Sequence, residues 1–384
     1  MVKMIKIVFF VLCYLATILS AAGGGFKLSL IHRYSVFPID MTSPIMPTNH
    51  GSILLVNISI GEPPLPQLLV MDTGSDLTWV QCPNCNGCHD AIHPTYDPAK
   101  SSTFLSKYCN GKDEVCPFQI SYVDGAGSSG TLATEKFTFA SSDDGIVELP
   151  NATFGCATTV KEDILQSNGM LGLSRTAESM FFGSKNLSRF SYCIGNISDP
   201  IYKYNKLIVG DGAIIQGDLL PMRPYDVEQN NYFVKLDGIS VGKNETNSSN
   251  TIYALIDCGT TYTYLVKDLL DVLKKEVNKW ILLPEYHYED YLCYHGDMRR
   301  DLTNFPTIKL SLGGKGASLK PDVEGAFFPL LSEEAFCLAF EDAEKSGGDN
   351  IIGIKAQQYH NFGFDLEKWT VSFESIDCQL LETL

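Results

Sequence analysis

Residues 254–265 read ALIDCGTTYTYL: an apolar run, then Asp257, Cys258, Gly259, Thr260 and a stretch rich in hydroxyl groups. An earlier stretch, residues 68–79, reads LLVMDTGSDLTW and follows the same plan of apolar-apolar-Asp-x-Gly-Ser/Thr. Each copy is followed much later by an apolar-apolar-Gly element: Met170-Leu171-Gly172 after the first, Ile351-Ile352-Gly353 after the second. A repeat of this kind signals two copies of one supersecondary unit, one in each half of the chain. Asp72 and Asp257, 185 positions apart, would then be carried to an approximate two-fold axis between two lobes.

The texture around both copies is that of a mostly-β protein. From Gly51 onward, short Val/Ile/Leu/Phe/Tyr runs are cut by Gly, Pro, Asn and Asp every ten or so residues. SILLVNISIGEPP, QLLVMDTG, EKFTFASSDDG, KLIVGDG, NNYFVKLDGISVG, TIKLSLGGKG and KWTVSFESIDC are examples. The best helical pattern covers residues 267–281, where apolar positions recur three and four apart. At 384 residues the chain can build two lobes with real cores.

Composition bounds the setting. Lys3 and Lys6 precede an apolar run and then Ser20, Ala21 and Ala22, so residues 1–21 read as a secretory signal peptide. No other stretch is apolar enough to span a bilayer. Secretion to the extracellular space is expected, with the vacuole as the other destination, and the protein should be a monomer without a membrane anchor. A formal charge of −16 makes nucleic acid an unsuitable partner. Residues 22–50 show no sustained core-forming periodicity and read as a short leader or prosegment. Residues 51–222 then form an N-terminal β lobe and residues 223–384 a C-terminal one. Sequons begin at Asn57, Asn151, Asn186, Asn196, Asn244 and Asn247, and several should carry glycans.

Two carboxylates in duplicated contexts carry chemistry that one does not. If the lobes bring Asp72 and Asp257 together in a site about 3 Å across, both cannot ionise and one proton stays on the pair. A water between them can lose a proton to one member while the other protonates a substrate carbonyl. This hydrolyses a peptide bond with no metal, no cofactor and no covalent intermediate. Gly74 and Gly259 let the backbone pass close to the carboxylates. Ser75 and Thr260 can each donate a hydroxyl hydrogen bond to the preceding Asp.

With these motifs in order, the chain resembles the pepsin-type aspartic endopeptidases, in their plant nepenthesin-like branch. The similarity runs nearly end to end: FKLSLIHRYS, VNISIGEPPLPQLLVMDTGSDLTWVQC, YDPAKSSTF, GMLGLS, RFSYCIGN, YFVKLDGISVG, LCY, FCLAF, and AQQYHNFGFDL with VSFESIDC. The resemblance implies two mostly-β lobes with a cleft between them, crossed by a hairpin flap, and an extended polypeptide as substrate. The flap would be QISYVDGAGSSGTLATEKFTF, with Tyr122 and Asp124 over the substrate and Tyr122 hydrogen-bonded toward Trp79. Where the family has Gly and Ser, this flap has Val123 and Ala126, and a β-branched Val stiffens a segment that must move. The family also implies a Cys293–Cys337 bridge.

The second copy departs from the family at one atom. The residue after each catalytic Asp is ordinarily Thr or Ser, whose hydroxyl bonds to backbone across the lobe junction. Thr73 keeps that role; Cys258 replaces it with a weak, larger thiol. The expectation is hydrolysis that survives but weakens. The rival reading is a catalytically weakened homologue that serves as a binding or inhibitor-like protein on the same scaffold. A purely structural glycoprotein would have no need of both Asp motifs and Tyr122.

Twelve cysteines in a secreted chain read as disulfides. Cys13 leaves with the signal, so an odd number remains; a free Cys258 would leave the rest to pair. Five of them, Cys82, Cys85, Cys88, Cys109 and Cys116, lie in one insert after the first motif, so a bridge must reach outside it or a second thiol is free. CPNCNGCH matches a haem-attachment pattern and half of a zinc site, but on a Pro/Asn/Gly loop of a secreted chain disulfides are the reading.

Overall fold

The computed structural model describes residues 25–32, 53–109, 114–123, 125–140, 145–161, 167–176, 179–181, 187–224, 231–313, 316–330 and 333–383. The signal peptide, most of the leader, Asp124 and Asn186 lie outside them.

β-Strands dominate, as the alternating runs dictate. The largest sheet among the described residues has 14 strands. At one end it forms a platform of Asp218–Pro221, Thr370–Ser375, His360–Asp365, Arg189–Ile194, Lys206–Val209 and Phe26–His32, in that order. Both halves of the chain therefore contribute to one sheet. It continues through Leu54–Ile60, Leu65–Asp72, Gly169–Gly172, Trp79–Asn86, Ile146–Lys161 and Gly127–Ala140. The second half builds a seven-stranded sheet of its own, centred on Phe233–Val241, Asn244–Ile256 and Asn350–Ile352.

Within the stretch read as lacking core periodicity, Phe26–His32 is a strand. Phe26, Leu28, Leu30 and His32 are buried at every second position, and the residues between them are more exposed. Phe26–Ser29 pair with Lys206–Val209, and Leu30–His32 with Leu54–Val56. The strand thus sits inside the platform. The alternation was present as Phe-Lys-Leu-Ser-Leu-Ile-His, but Ile31 and the terminal His blur its period of two.

The predicted helix is shorter than its pattern. It covers Lys267–Val277 and buries Leu269, Leu270, Leu273 and Val277. Beyond Val277 the chain tightens into irregular turns: the N–H groups of Trp280 and Ile281 both donate to the Val277 carbonyl, and Pro284 follows. The apolar residues past Asn278 continued the periodicity without continuing the helix.

Among the described residues five disulfides form, with Cys258 left as a buried free thiol: Cys82–Cys156, Cys85–Cys88, Cys109–Cys116, Cys193–Cys378 and Cys293–Cys337. The Cys82 bridge is the one that leaves the insert. It ties Trp79–Asn86 to Ile146–Lys161, strands that already pair in parallel. No helix of the described residues is long and apolar enough to cross a membrane.

Candidate active site

Two matching three-strand units deliver the aspartates. In the first, Leu65–Asp72 pairs in parallel with Gly169–Gly172, which sets Gly172 opposite Asp72. Gly169–Gly172 also runs antiparallel to Trp79–Asn86. In the second, Asn244–Ile256 pairs in parallel with Asn350–Ile352, which meets Thr263–Leu265 in antiparallel fashion. The Asp257 N–H donates to the Ile352 carbonyl at 3.2 Å. The repeated glycine is a steric requirement. A Cβ on Gly172 would lie 2.8 Å from the Ser75 carbonyl oxygen, and one on Gly353 only 2.1 Å from that of Tyr262.

The carboxylates are held by mirrored bonds. Asp72 accepts the Gly74 N–H at 2.7 Å and the Ser75 hydroxyl. Asp257 accepts the Gly259 N–H at 2.9 Å and the Thr260 hydroxyl at 2.6 Å. Each carboxylate also lies over the other motif's glycine: a Cβ on Gly74 would stand 3.0 Å from Asp257 Oδ2, and one on Gly259 2.2 Å from Asp72 Oδ1. Residues 185 positions apart are thereby brought face to face, with each Asp only 6 % exposed. Burial first, and then the neighbouring charge of Asp257, hold the Asp72 carboxyl well above the ordinary carboxylate range; the Ser75 hydroxyl and Gly74 N–H pull it partly back.

Beneath the pair, Thr73 and Cys258 meet. The Thr73 hydroxyl donates to the Ile256 carbonyl at 3.1 Å and accepts the Cys258 N–H at 3.0 Å. In the opposite direction the Cys258 thiol reaches the Met71 carbonyl at 3.6 Å, and its sulfur stands 3.5 Å from Thr73 Oγ1. The sulfur occupies the position of the missing hydroxyl and makes a longer, softer version of its bond. Burial, then Asp257 and Asp72, push this thiol far above its ordinary range, so no thiolate forms there.

The flap is a hairpin of Pro117–Ser121 and Gly127–Ala140. The Trp79 indole N–H donates to the Tyr122 hydroxyl at 2.9 Å. The Tyr122 N–H closes the turn onto the Ala126 carbonyl, with Gly125 at φ 90°. Val123 is 64 % exposed at the turn, so its branched side chain projects to solvent.

Several supporting residues escaped the reading of the sequence. Thr78 Oγ1 accepts the Gly172 N–H at 3.2 Å, and Thr263 Oγ1 accepts the Gly353 N–H at 3.4 Å. Both stand six residues after their Asp, a repeat that the two motifs display openly. Gln357 is less legible: its amide donates to the carbonyls of Asp257 and Ile352, and its oxygen accepts the Tyr192 hydroxyl. Among the described residues no cluster of His, Cys, Asp or Glu is arranged to hold a metal ion. Of the sequons, Asn57, Asn151, Asn244 and Asn247 are exposed and Asn196 is half-buried.

A pair of aspartates at the junction of two β lobes, with a hairpin whose tyrosine bonds to Trp79, is the layout of a pepsin-like fold. Comparison with known proteins agrees. The model of the family described as "Xylanase inhibitor N-terminal" matches residues 54–211, and "Xylanase inhibitor C-terminal" matches residues 231–375. Aspartyl protease UND of Arabidopsis thaliana is 31 % identical over 364 residues, covering 90 % of either chain. Aspartic proteinase nepenthesin-1 of Nepenthes gracilis is 28 % identical, over 84 % of this chain and 78 % of its own. The solved structure of conglutin gamma, a basic 7S globulin from lupine seeds, superposes with a TM-score of 0.69 over 94 % of this chain and 97 % of its own, at 18 % identity, which speaks to the fold. The chain belongs to the pepsin-like aspartic protease family of plants.

Proposed function

We propose that this protein is a secreted endopeptidase that hydrolyses extended polypeptides at acid pH with a water activated between Asp72 and Asp257. The observation that carries the reading is the reciprocal packing of each carboxylate over the other motif's glycine. Two buried carboxylates in that arrangement retain one proton between them, and the raised Asp72 fits this. The pair titrates as a unit, one member taking a proton from water while the other gives one to the scissile carbonyl oxygen. Ser75, Thr260 and the two glycine N–H groups orient the carboxylates, and Thr73 with Cys258 fixes the lobes on which they ride.

In this reading residues 51–222 and 223–384 each supply one carboxylate. Tyr122 covers the bound peptide, with its hydroxyl kept in place by Trp79. Glycans would sit on the exposed sequons, Asn57, Asn151, Asn244 and Asn247 first. The test is cleavage of a denatured protein between about pH 3 and 5, with and without pepstatin, a mimic of the transition state. Cleavage abolished by pepstatin supports the proposal. A folded protein that binds pepstatin but cuts nothing would instead favour a binding role on the same scaffold.

A further inference from the structure

Four of the five bridges have at least one buried sulfur-bearing residue: Cys82 with Cys156, Cys116, Cys193 with Cys378, and Cys293 with Cys337. Cys85–Cys88 differs, because both residues are partly exposed. It also spans only three positions, against 74, 185 and 44 for the long-range bridges. Closing so short a loop removes little freedom from the unfolded chain, so the fold loses least when this bridge opens.

Its position gives the opening a consequence. Cys85 and Cys88 pack against the small apolar cluster that holds Trp79, Phe118 and Val160, and the flap residues Ile120 and Tyr122 pack against the same cluster. Between the two cysteines, Gly87 turns at φ +75° so close to the neighbouring strand that a Cβ would lie 2.2 Å from the Val160 carbonyl oxygen. Val160 pairs with Ser128, and Lys161 with Gly127, where the flap's return strand begins. Ser128 in turn pairs with Ile120 on the outgoing strand. The bridged turn therefore buttresses the end of the flap hairpin that adjoins its turn.

We propose that Cys85–Cys88 is a thiol–disulfide exchange site for dithiol reductants, and that its reduction loosens the flap. One thiolate of the dithiol attacks a sulfur of the bridge; the S–S bond breaks, a mixed disulfide forms, and the departing cysteine takes a proton. The second thiol of the reductant then displaces the other cysteine. The protein gains two electrons and two protons, and the dithiol leaves as its cyclic disulfide. A Cys-x-x-Cys pair on an accessible turn suits this chemistry.

The test uses the full secreted chain and graded dithiothreitol under native conditions, followed by alkylation, peptide mass spectrometry and hydrogen exchange over residues 117–140. Cys85 and Cys88 should be alkylated first, while Cys82, Cys156, Cys193, Cys378, Cys293 and Cys337 stay closed. Exchange in the flap should accelerate about tenfold as the bridge opens. The Cys85→Ser/Cys88→Ser variant should show that faster exchange without reductant and respond to it no further. Another bridge opening first, or unchanged flap exchange with this bridge open, overturns the proposal whether or not the variant folds. The kinetic arm rests on the protease reading: KM for a peptide should rise about threefold on reduction, more than kcat falls. An active enzyme whose KM stays constant contradicts the proposal, whereas protein inactive in both redox states while flap exchange responds would count against the protease reading alone.

Discussion

At the junction of the two halves, the first presents a hydroxyl and the second a thiol. Thr73 makes two bonds near 3 Å across the junction, one as donor and one as acceptor. Cys258 returns a thiol contact of 3.6 Å to the Met71 carbonyl, and its sulfur lies 3.5 Å from the Thr73 hydroxyl. The surrounding geometry is otherwise matched: the same parallel strand pairing, the same glycine N–H and hydroxyl on each carboxylate, the same threonine six positions on. The fold therefore tolerates sulfur because the thiol still reaches the Met71 carbonyl and both bonds made by the Thr73 hydroxyl to the second half remain in place. Only the weaker of the reciprocal bonds is degraded.

The two copies are also unequal at their glycines, and this gives the largest expected effect. A methyl at Gly259 would collide with Asp72 at 2.2 Å, whereas one at Gly74 would meet Asp257 at 3.0 Å. Gly259→Ala should lower kcat/KM by about 100-fold or more through displacement of a reacting group, and Gly74→Ala by clearly less. Equal losses in a peptide-cleavage assay would remove the asymmetry.

Next in size is Thr73→Val, which strips a buried N–H and a buried carbonyl of their partner at once. It should cost about 2–3 kcal/mol in chemical denaturation. The reverse exchange, Cys258→Ser, should return about 1 kcal/mol of stability and raise turnover about fivefold, since the hydroxyl restores a proper donor to Met71. A thiol that already does the hydroxyl's work would leave both quantities unchanged.

Asp72 adds a pH signature. Its folded carboxyl keeps a proton that the unfolded chain has lost, so the native state binds more protons and stability falls as pH rises above the ordinary carboxylate range. Asp72→Asn removes that group, so its melting temperature should decline less than the wild type's between about pH 4 and pH 7. Parallel declines would mean that the burial of Asp72 does not oppose its ionisation.

Much of this was legible in the chain because a duplicated motif constrains twice. The two Asp-x-Gly-Ser/Thr units and their distant Gly partners were visible as text, and the strands pair as that repeat demands. What escaped was information that only three-dimensional neighbours hold. Phe26–His32 reads as a weak alternation until Lys206–Val209 and Leu54–Val56 are placed beside it. Cys82 had no stated partner, since Cys156 is 74 positions away and is brought near by parallel pairing. Residues 278–281 kept a helical rhythm in their apolar positions, yet turn differently because local breakers outweigh it.

The central claim is that two distant carboxylates act as one acid–base unit, and the pH dependence of peptide cleavage by wild type, Asp72→Asn and Asp257→Asn tests it most directly. The account predicts a bell-shaped kcat/KM profile on the acid side for the wild type and a loss of about 1,000-fold or more in either variant. Folded variants that cleave at rates close to wild type, with the same profile, would contradict it.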